Sequence, residues 1–157
     1  MWLRGLYNVV MNIQTQFSVF LVNKPGVLAA VIGAMGKAHV NVTALTLTDY
    51  MEHGVLRLVA DNEAKAREVL GKTHDNWTET PVLVLELTNE PGAFAAVAQK
   101  LADEHINISY AYCTGGAPGG RTTTVFKVAD MKKAVKVLEQ AKPEKKATSA
   151  FRPRRGR

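Results

Sequence analysis

Apolar residues alternate along residues 16–22, with Phe17, Val19 and Leu21 falling on one side, and this period of two in a β-branched and aromatic run predicts a strand. The period then changes. Leu28, Val31, Ile32 and Met35 recur at i, i+3, i+4 and i+7, one face of a helix that ends near His39. Alternation resumes over residues 40–48 as a second strand, residues 49–54 read as a polar turn, and residues 55–60 form a third strand. Asp61 is the expected N-cap of a second helix, with Ala66, Val69 and Leu70 inward, and a short strand near residues 76–80 completes the order βαββαβ.

The pattern returns 66 residues later. Asn23, Pro25, Gly26, Ala29, Ala30, Val31, His39 and Asn41 match Asn89, Pro91, Gly92, Ala95, Ala96, Val97, His105 and Asn107. Phe94, Val97, Ala98 and Leu101 repeat the helical face. Further on, Val59-Ala60-Asp61 matches Val128-Ala129-Asp130 at an offset of 69, so the second strand-to-strand turn reads as three residues longer and contains Gly115-Gly116-Ala117-Pro118-Gly119-Gly120. The expected fold is α+β. Two βαββαβ units, residues 15–80 and 81–141, each form a four-stranded antiparallel sheet with helices on one face. No Gly/Ser-rich linker separates Leu70 from Pro81, so the units are expected to pack together. Residues 1–14 read as a leader outside the fold, with Met11 the expected true start, and residues 142–157 as a basic, proline-interrupted tail expected to be disordered.

With 157 residues, 46% of them apolar, the chain has material for two small cores. No run approaches the roughly 18 apolar residues of a membrane span, and the N-terminus lacks a cleavable signal, so a cytoplasmic protein is expected. The single cysteine, Cys113, lies in an alternating strand and reads as a small core residue. The net charge of +6 comes wholly from the tail, where seven basic residues stand against Glu144 alone. A balanced body does not read as a nucleic-acid surface.

The junction of strand and helix, Asn23-Lys24-Pro25-Gly26-Val27-Leu28, carries the chemistry. Asn23 is a candidate acceptor for the helix's first amides, Pro25 presets φ, and Gly26 permits close approach of backbone or ligand. A helix N-terminus with exposed amides is a seat for a carboxylate or phosphate. An ordinary strand-to-helix connection looks the same, and the second copy, Asn89-Glu90-Pro91-Gly92-Ala93-Phe94, moves the balance towards binding.

Each turn, taken with the strand opening that follows it, His39-Val40-Asn41-Val42 or His105-Ile106-Asn107-Ile108, resembles the ACT domain. The resemblance covers about residues 15–140, and the whole is similar to stand-alone bacterial proteins made of two ACT domains. It implies ferredoxin-like units that pair by sheets or helices, a homodimer, and a free amino acid bound in the seam between units as an allosteric, regulatory signal. Carried over by position, the ligand's carboxylate meets amides near Gly26, Val27 and Leu28, and near Gly92, Ala93 and Phe94, in turns shaped by Asn23, Pro25, Asn89 and Pro91. Asn41 and Asn107, with Val42 and Ile108 beside them, reach the ammonium group or the side chain from across the seam. Both asparagines serve equally well as turn-formers at a strand start. Where family members often carry glycine this chain has His39 and His105, at a helix end that wants a left-handed backbone, and both read as structural. Lys24 and Glu90 differ at matched positions, so the two sites need not share a ligand.

Other chemistries find little support. The Gly115–Gly120 run lacks a following Gly-Lys-Ser/Thr and enters a strand, so it is no phosphate loop. Glu52-His53 has no partners at metal spacing, no residues are nominated for catalysis, and no cofactor or metal is expected. RNA-recognition domains share the βαββαβ order, but residues 55–59 and 82–86 lack the stacking aromatics such binding needs, which leaves only the tail for nucleic acid. The expected partners are a free amino acid, a second copy of the chain, and an enzyme of amino-acid metabolism. An alternative is a regulatory subunit like the small subunit of acetolactate synthase, whose second half differs from its ACT half; the repeat in this chain argues against it.

Overall fold

The computed structural model describes residues 10–50, 52–74 and 76–140, the side chain of Tyr50 excepted. Residues 1–9 of the expected leader and the whole basic tail lie outside the described residues. Chain order gives β1 (Met11–Val22), α1 (Val27–Lys37), β2 (Val42–Tyr50), β3 (His53–Ala60), α2 (Glu63–Thr73), β4 (Trp77–Thr88), α3 (Ala93–Asp103), β5 (Ile108–Thr114), β6 (Arg121–Val128) and α4 (Met131–Glu139). Each helix buries residues four apart: Val31 and Met35, Ala66 and Leu70, Val97 and Leu101, Ala134 and Leu138. These meet Phe17, Val19, Leu56 and Leu58 in one copy and Leu83, Leu85, Leu87 and Phe126 in the other, giving two cores on the helix-covered face.

The strands form one antiparallel six-stranded sheet, ordered β2-β3-β1-β4-β6-β5, where the sequence suggests two separate four-stranded sheets. The cause is that two strands are shared. The closing strand of the first unit and the opening strand of the second are a single run, β4, which lies along β1 from Met11↔Leu85 to Val19↔Trp77. Each unit keeps the ferredoxin-like arrangement, β2-β3-β1-β4 and β5-β6-β4-β1, with residues 11–15 filling the fourth-strand place of the second unit. β1 therefore begins at Met11, five residues before Gln16. Met11-Asn12-Ile13-Gln14-Thr15 alternates in step with Phe17, Val19 and Leu21, and β4 supplies the partner that makes it strand.

Thr15 and Pro81 occupy equivalent places in the two copies and face each other, so the pseudo-two-fold axis passes between them. There the copies differ in a matched way. The Thr15 amide and hydroxyl donate to the two carboxylate oxygens of Glu63, at 2.7 and 2.8 Å. In the second copy Pro81 has no amide hydrogen and Met131 stands where Glu63 does, so donor and acceptor are lost together.

Two details correct the sequence reading. The N-cap of α2 is Asn62, whose side chain accepts from the Lys65 amide at 3.0 Å, because Asp61 instead accepts from the Asn41 amide at 3.0 Å. Asn62 corresponds to Asp130, the N-cap of α4, which makes the offset 68 and the longer turn two residues longer, not three. The identity of Val59 with Val128 misleads. Val59 lies in the cluster on the face away from the helices, Val128 in a helix-covered core, and a one-residue slip exchanges the faces of a strand.

The sheet curls until β2 touches β5 and β6, which buries the face away from the helices as a third cluster of Ala44, Val59, Val82, Val84 and Val125. Polar residues at its centre are satisfied. Gln16, fully buried, donates through Nε2 to Tyr110 Oη at 2.7 Å and to Ser18 Oγ at 3.2 Å. Arg57 lies over the Tyr110 ring, 4.5 Å from its centre. Cys113 is exposed, not buried, because β5 is an edge strand whose helix-side residues are only partly covered.

Candidate functional site

β1 ends as the Asn23 amide turns to Glu52 O at 2.9 Å and the Lys24 amide to Val22 O at 2.9 Å. α1 follows with Gly26, not Asn23, as its N-cap. Gly26 has φ +87, a conformation glycine adopts without strain, and a Cβ added there would meet nothing within 4 Å. The residue is therefore there for its dihedral rather than for a close contact inside the chain. No side chain caps the helix and its first turn holds no acid. The Val27 amide reaches only Lys24 O, at 3.4 Å, and the first helical bond is Ala30 to Gly26 O at 2.9 Å. The amides between them, on Leu28 and Ala29, point at the turn with the positive end of the helix dipole behind them.

Asn23 faces the other way. Its Nδ2 donates to Asp49 Oδ1 at 3.3 Å, linking the turn to the end of β2. Together with Lys24, Leu28, Leu47 and Gly54 these residues line a notch of about 70 Å³. Sites that enclose small molecules are typically ~300 Å³ or more, so this notch has room for no more than one end of a small molecule. Leu47, Asp49 and Gly54 escape sequence reasoning because they arrive from the β2–β3 hairpin, and no spacing within the chain announces that contact.

The second turn repeats the backbone and changes the surroundings. Gly92 has φ +89 and again caps without a side chain, and the Ala96 amide donates to Gly92 O at 2.9 Å. Here the glycine-rich insertion folds onto Asn89: Nδ2 donates to Gly116 O at 2.8 Å and to Ala117 O at 3.3 Å. The Asn89 amide donates to Gly120 O at 2.8 Å, and the Gly119 amide to Asn89 O at 3.1 Å. Phe94 stacks on Phe126 with ring centres 5.0 Å apart. The buried hydroxyls of Thr122 and Thr124, on the same face of β6 as Phe126, have no hydrogen-bond partner among the described residues.

Asn41 and Asn107 sit at the far ends of α1 and α3, about 16 Å of helix from their own turns for 11 residues each. The register puts both strand openings level with Thr15 and Pro81, at the waist of the sheet. The Asn41 carbonyl accepts from the Asp61 amide at 3.0 Å and the Asn107 carbonyl from the Ala129 amide at 3.0 Å, while Val42 and Ile108 pack against the cores. Within one chain, then, a full helix length separates each asparagine from the turn of its own unit. His39 and His105 both have φ 55, the left-handed helix end expected of them.

Two larger open grooves, between α1 and α2 and between α3 and α4, repeat one structural device: Lys65 and Lys133 each donate to the last carbonyl of the preceding helix, Ala38 O and Glu104 O. Among the described residues no group of three or more His, Cys, Asp or Glu side chains could hold a metal ion, and no helix is long and apolar enough to cross a membrane.

Comparison with known proteins agrees with the geometry. A family model described as an ACT domain pair matches residues 11–147. A Bacteroides thetaiotaomicron protein of known structure is 29% identical, with a TM-score of 0.74 over 82% of this chain and 88% of its own. The regulatory subunit of aspartate kinase from Thermus thermophilus, in ligand-free form, is 16% identical with a TM-score of 0.65 over 85% of this chain and 95% of its own. The aspartate kinase of Clostridium acetobutylicum is 14% identical with a TM-score of 0.54, matching 83% of this chain to 33% of that enzyme. These last two likenesses are of fold. No curated protein matches the chain.

Proposed function

The chain belongs to the ACT domain pair family, typical of amino-acid-binding regulatory modules, and from that premise we propose that it is a cytoplasmic, non-catalytic sensor of a free amino acid. The observation that carries this reading is the start of α1, whose amides meet no capping side chain and no acid beside a notch that ends in Asp49. A zwitterion matches such a place: the amides and the helix dipole favour its carboxylate, and oxygen acceptors favour its ammonium.

The notch is too small to enclose a whole ligand, which supports a site completed by a second chain. β2 is the sheet edge beside the notch and exposes Leu45 and Leu47. Two-fold antiparallel pairing of β2 with the same strand of a second chain would bring that chain's Asn41 towards Asn23 and Asp49. Ligand bridging the seam would stabilise the paired state by its differential affinity, and an oligomeric change or a partner enzyme would report it. The reading as a small subunit of acetolactate synthase type is weakened because the second half repeats the fold of the first.

Thermal unfolding of the whole chain with each of the twenty amino acids in turn tests the proposal. A hundredfold excess over Kd adds about 2.7 kcal/mol, roughly 5–10 °C for a protein of this size. One or a few amino acids should raise Tm in a concentration-dependent way; no shift with any of them at millimolar concentration would refute it.

A further inference from the structure

The two turns share a backbone, their asparagine and their proline, but differ in the charged and space-filling side chains around them. In the first copy Gly54 leaves the notch open: a Cβ there would stand 3.4 Å from Leu47 Cδ1 and 3.4 Å from Thr48 O, in the space the notch occupies. In the second copy Thr122 stands in place of Gly54 and is buried. Lys24, on the rim, becomes Glu90, which puts a negative charge where a carboxylate would approach α3. Asp49 becomes Gly115, so the group that faces an ammonium is gone. The insertion then occupies the Asn89 side chain and both of its backbone groups.

We propose that each chain takes one amino acid, in the first copy, with Lys24 and Asp49 as its charge-reading side chains and Gly54 keeping the notch open, and that the second copy is closed by its own residues. This rests on the amino-acid-binding reading above and adds where the ligand sits and how many bind. Lys24 lies beside the amides of α1 and adds a full charge for the carboxylate. Asp49, held by Asn23, is the oxygen acceptor for the ammonium. The buried Thr122 hydroxyl, without a hydrogen-bond partner among the described residues, is the cost of placing a side chain where Gly54 stands in the first copy.

Calorimetric titration of the full chain with whichever of the twenty amino acids raises Tm most provides the test. The expected stoichiometry is one per chain. Lys24→Glu and Gly54→Thr should each weaken binding by about tenfold or more, and Asp49→Asn measurably, while Asn89→Ala and Glu90→Lys leave Kd within about twofold. Lys24 and Asp49 are exposed, so their variants should fold, and unliganded Tm checks this. Two ligands per chain, or loss on changing Asn89 or Glu90 with Lys24→Glu unaffected, would overturn the one-site assignment while leaving amino-acid sensing intact. Absence of binding by all twenty would overturn both.

Discussion

Tyr112 on β5 and Gln16 on β1 stand three strands apart in the sheet, yet the Tyr112 hydroxyl donates to Gln16 Oε1 at 3.0 Å. This bond, with that from Gln16 to Tyr110, pins the second copy's edge strand over the centre of the first copy's sheet. Gln16→Leu removes the partner of two tyrosine hydroxyls and should cost roughly 2–4 kcal/mol, measured by urea unfolding. Tyr112→Phe, which leaves Oε1 unpaired, should cost about 1–3 kcal/mol.

The same pair predicts a response to alkali. Burial raises the Tyr112 pKa above its ordinary value of 10.0, and the neighbouring Tyr110 adds to the effect. A phenol harder to ionise when folded contributes stability that is fully present below the unfolded pKa and is lost as pH rises above it. Stability should therefore fall above pH 10 in the parent chain, and by less in Tyr112→Phe.

Residues 11–15 complete the second unit although they belong to the strand that opens the first. Asn12 is exposed, so its side chain matters little, but its amide turns towards β4 opposite Val84, because the Glu86 amide donates to Val10 O at 3.1 Å and ladder bonds recur at every second residue. Asn12→Pro should cost about 3 kcal/mol or more, and Asn12→Thr less than about 1. Hydrogen exchange should show the Pro variant speeding exchange in β4 and β6 as well as β1. Equal costs for the two variants would contradict the shared-strand description.

His39 and His105 hold a left-handed backbone without being glycine. Relief of the conformation, which costs about 1–2 kcal/mol in other residues, is partly offset by the chain entropy of glycine. His39→Gly should leave stability unchanged or raise it by about 0.5–1 kcal/mol, and His39→Val should lower it by about 1 kcal/mol or more, by chemical denaturation.

Much of this was legible in the residues. The matched Asn-x-Pro-Gly turns, the i, i+4 helix faces and the paired histidines are local features, and each lies where its pattern put it. What escaped was set by distant pairing. Met11 and Ile13 alternate with Asn12 and Gln14 in step with Phe17, Val19 and Leu21, but only the pairing with β4 shows that this stretch belongs to the sheet. Asp49 and Gly54 join the notch through a hairpin, and Gln16 finds its tyrosines only because the sheet curls. Identity misled once, at Val59 and Val128, because neighbouring valines occur on both faces of a strand.

The central claim is that the start of α1 seats an amino-acid carboxylate, and amide NMR of the whole chain tests it most directly. Titrated with the amino acid that most raises Tm, the amides of Val27, Leu28 and Ala29 should show the largest shifts, with Asn23 and Asp49 following and Ala93 to Ala95 nearly still. Shifts centred on the grooves between helix pairs, or on the α3 turn alone, would contradict the account.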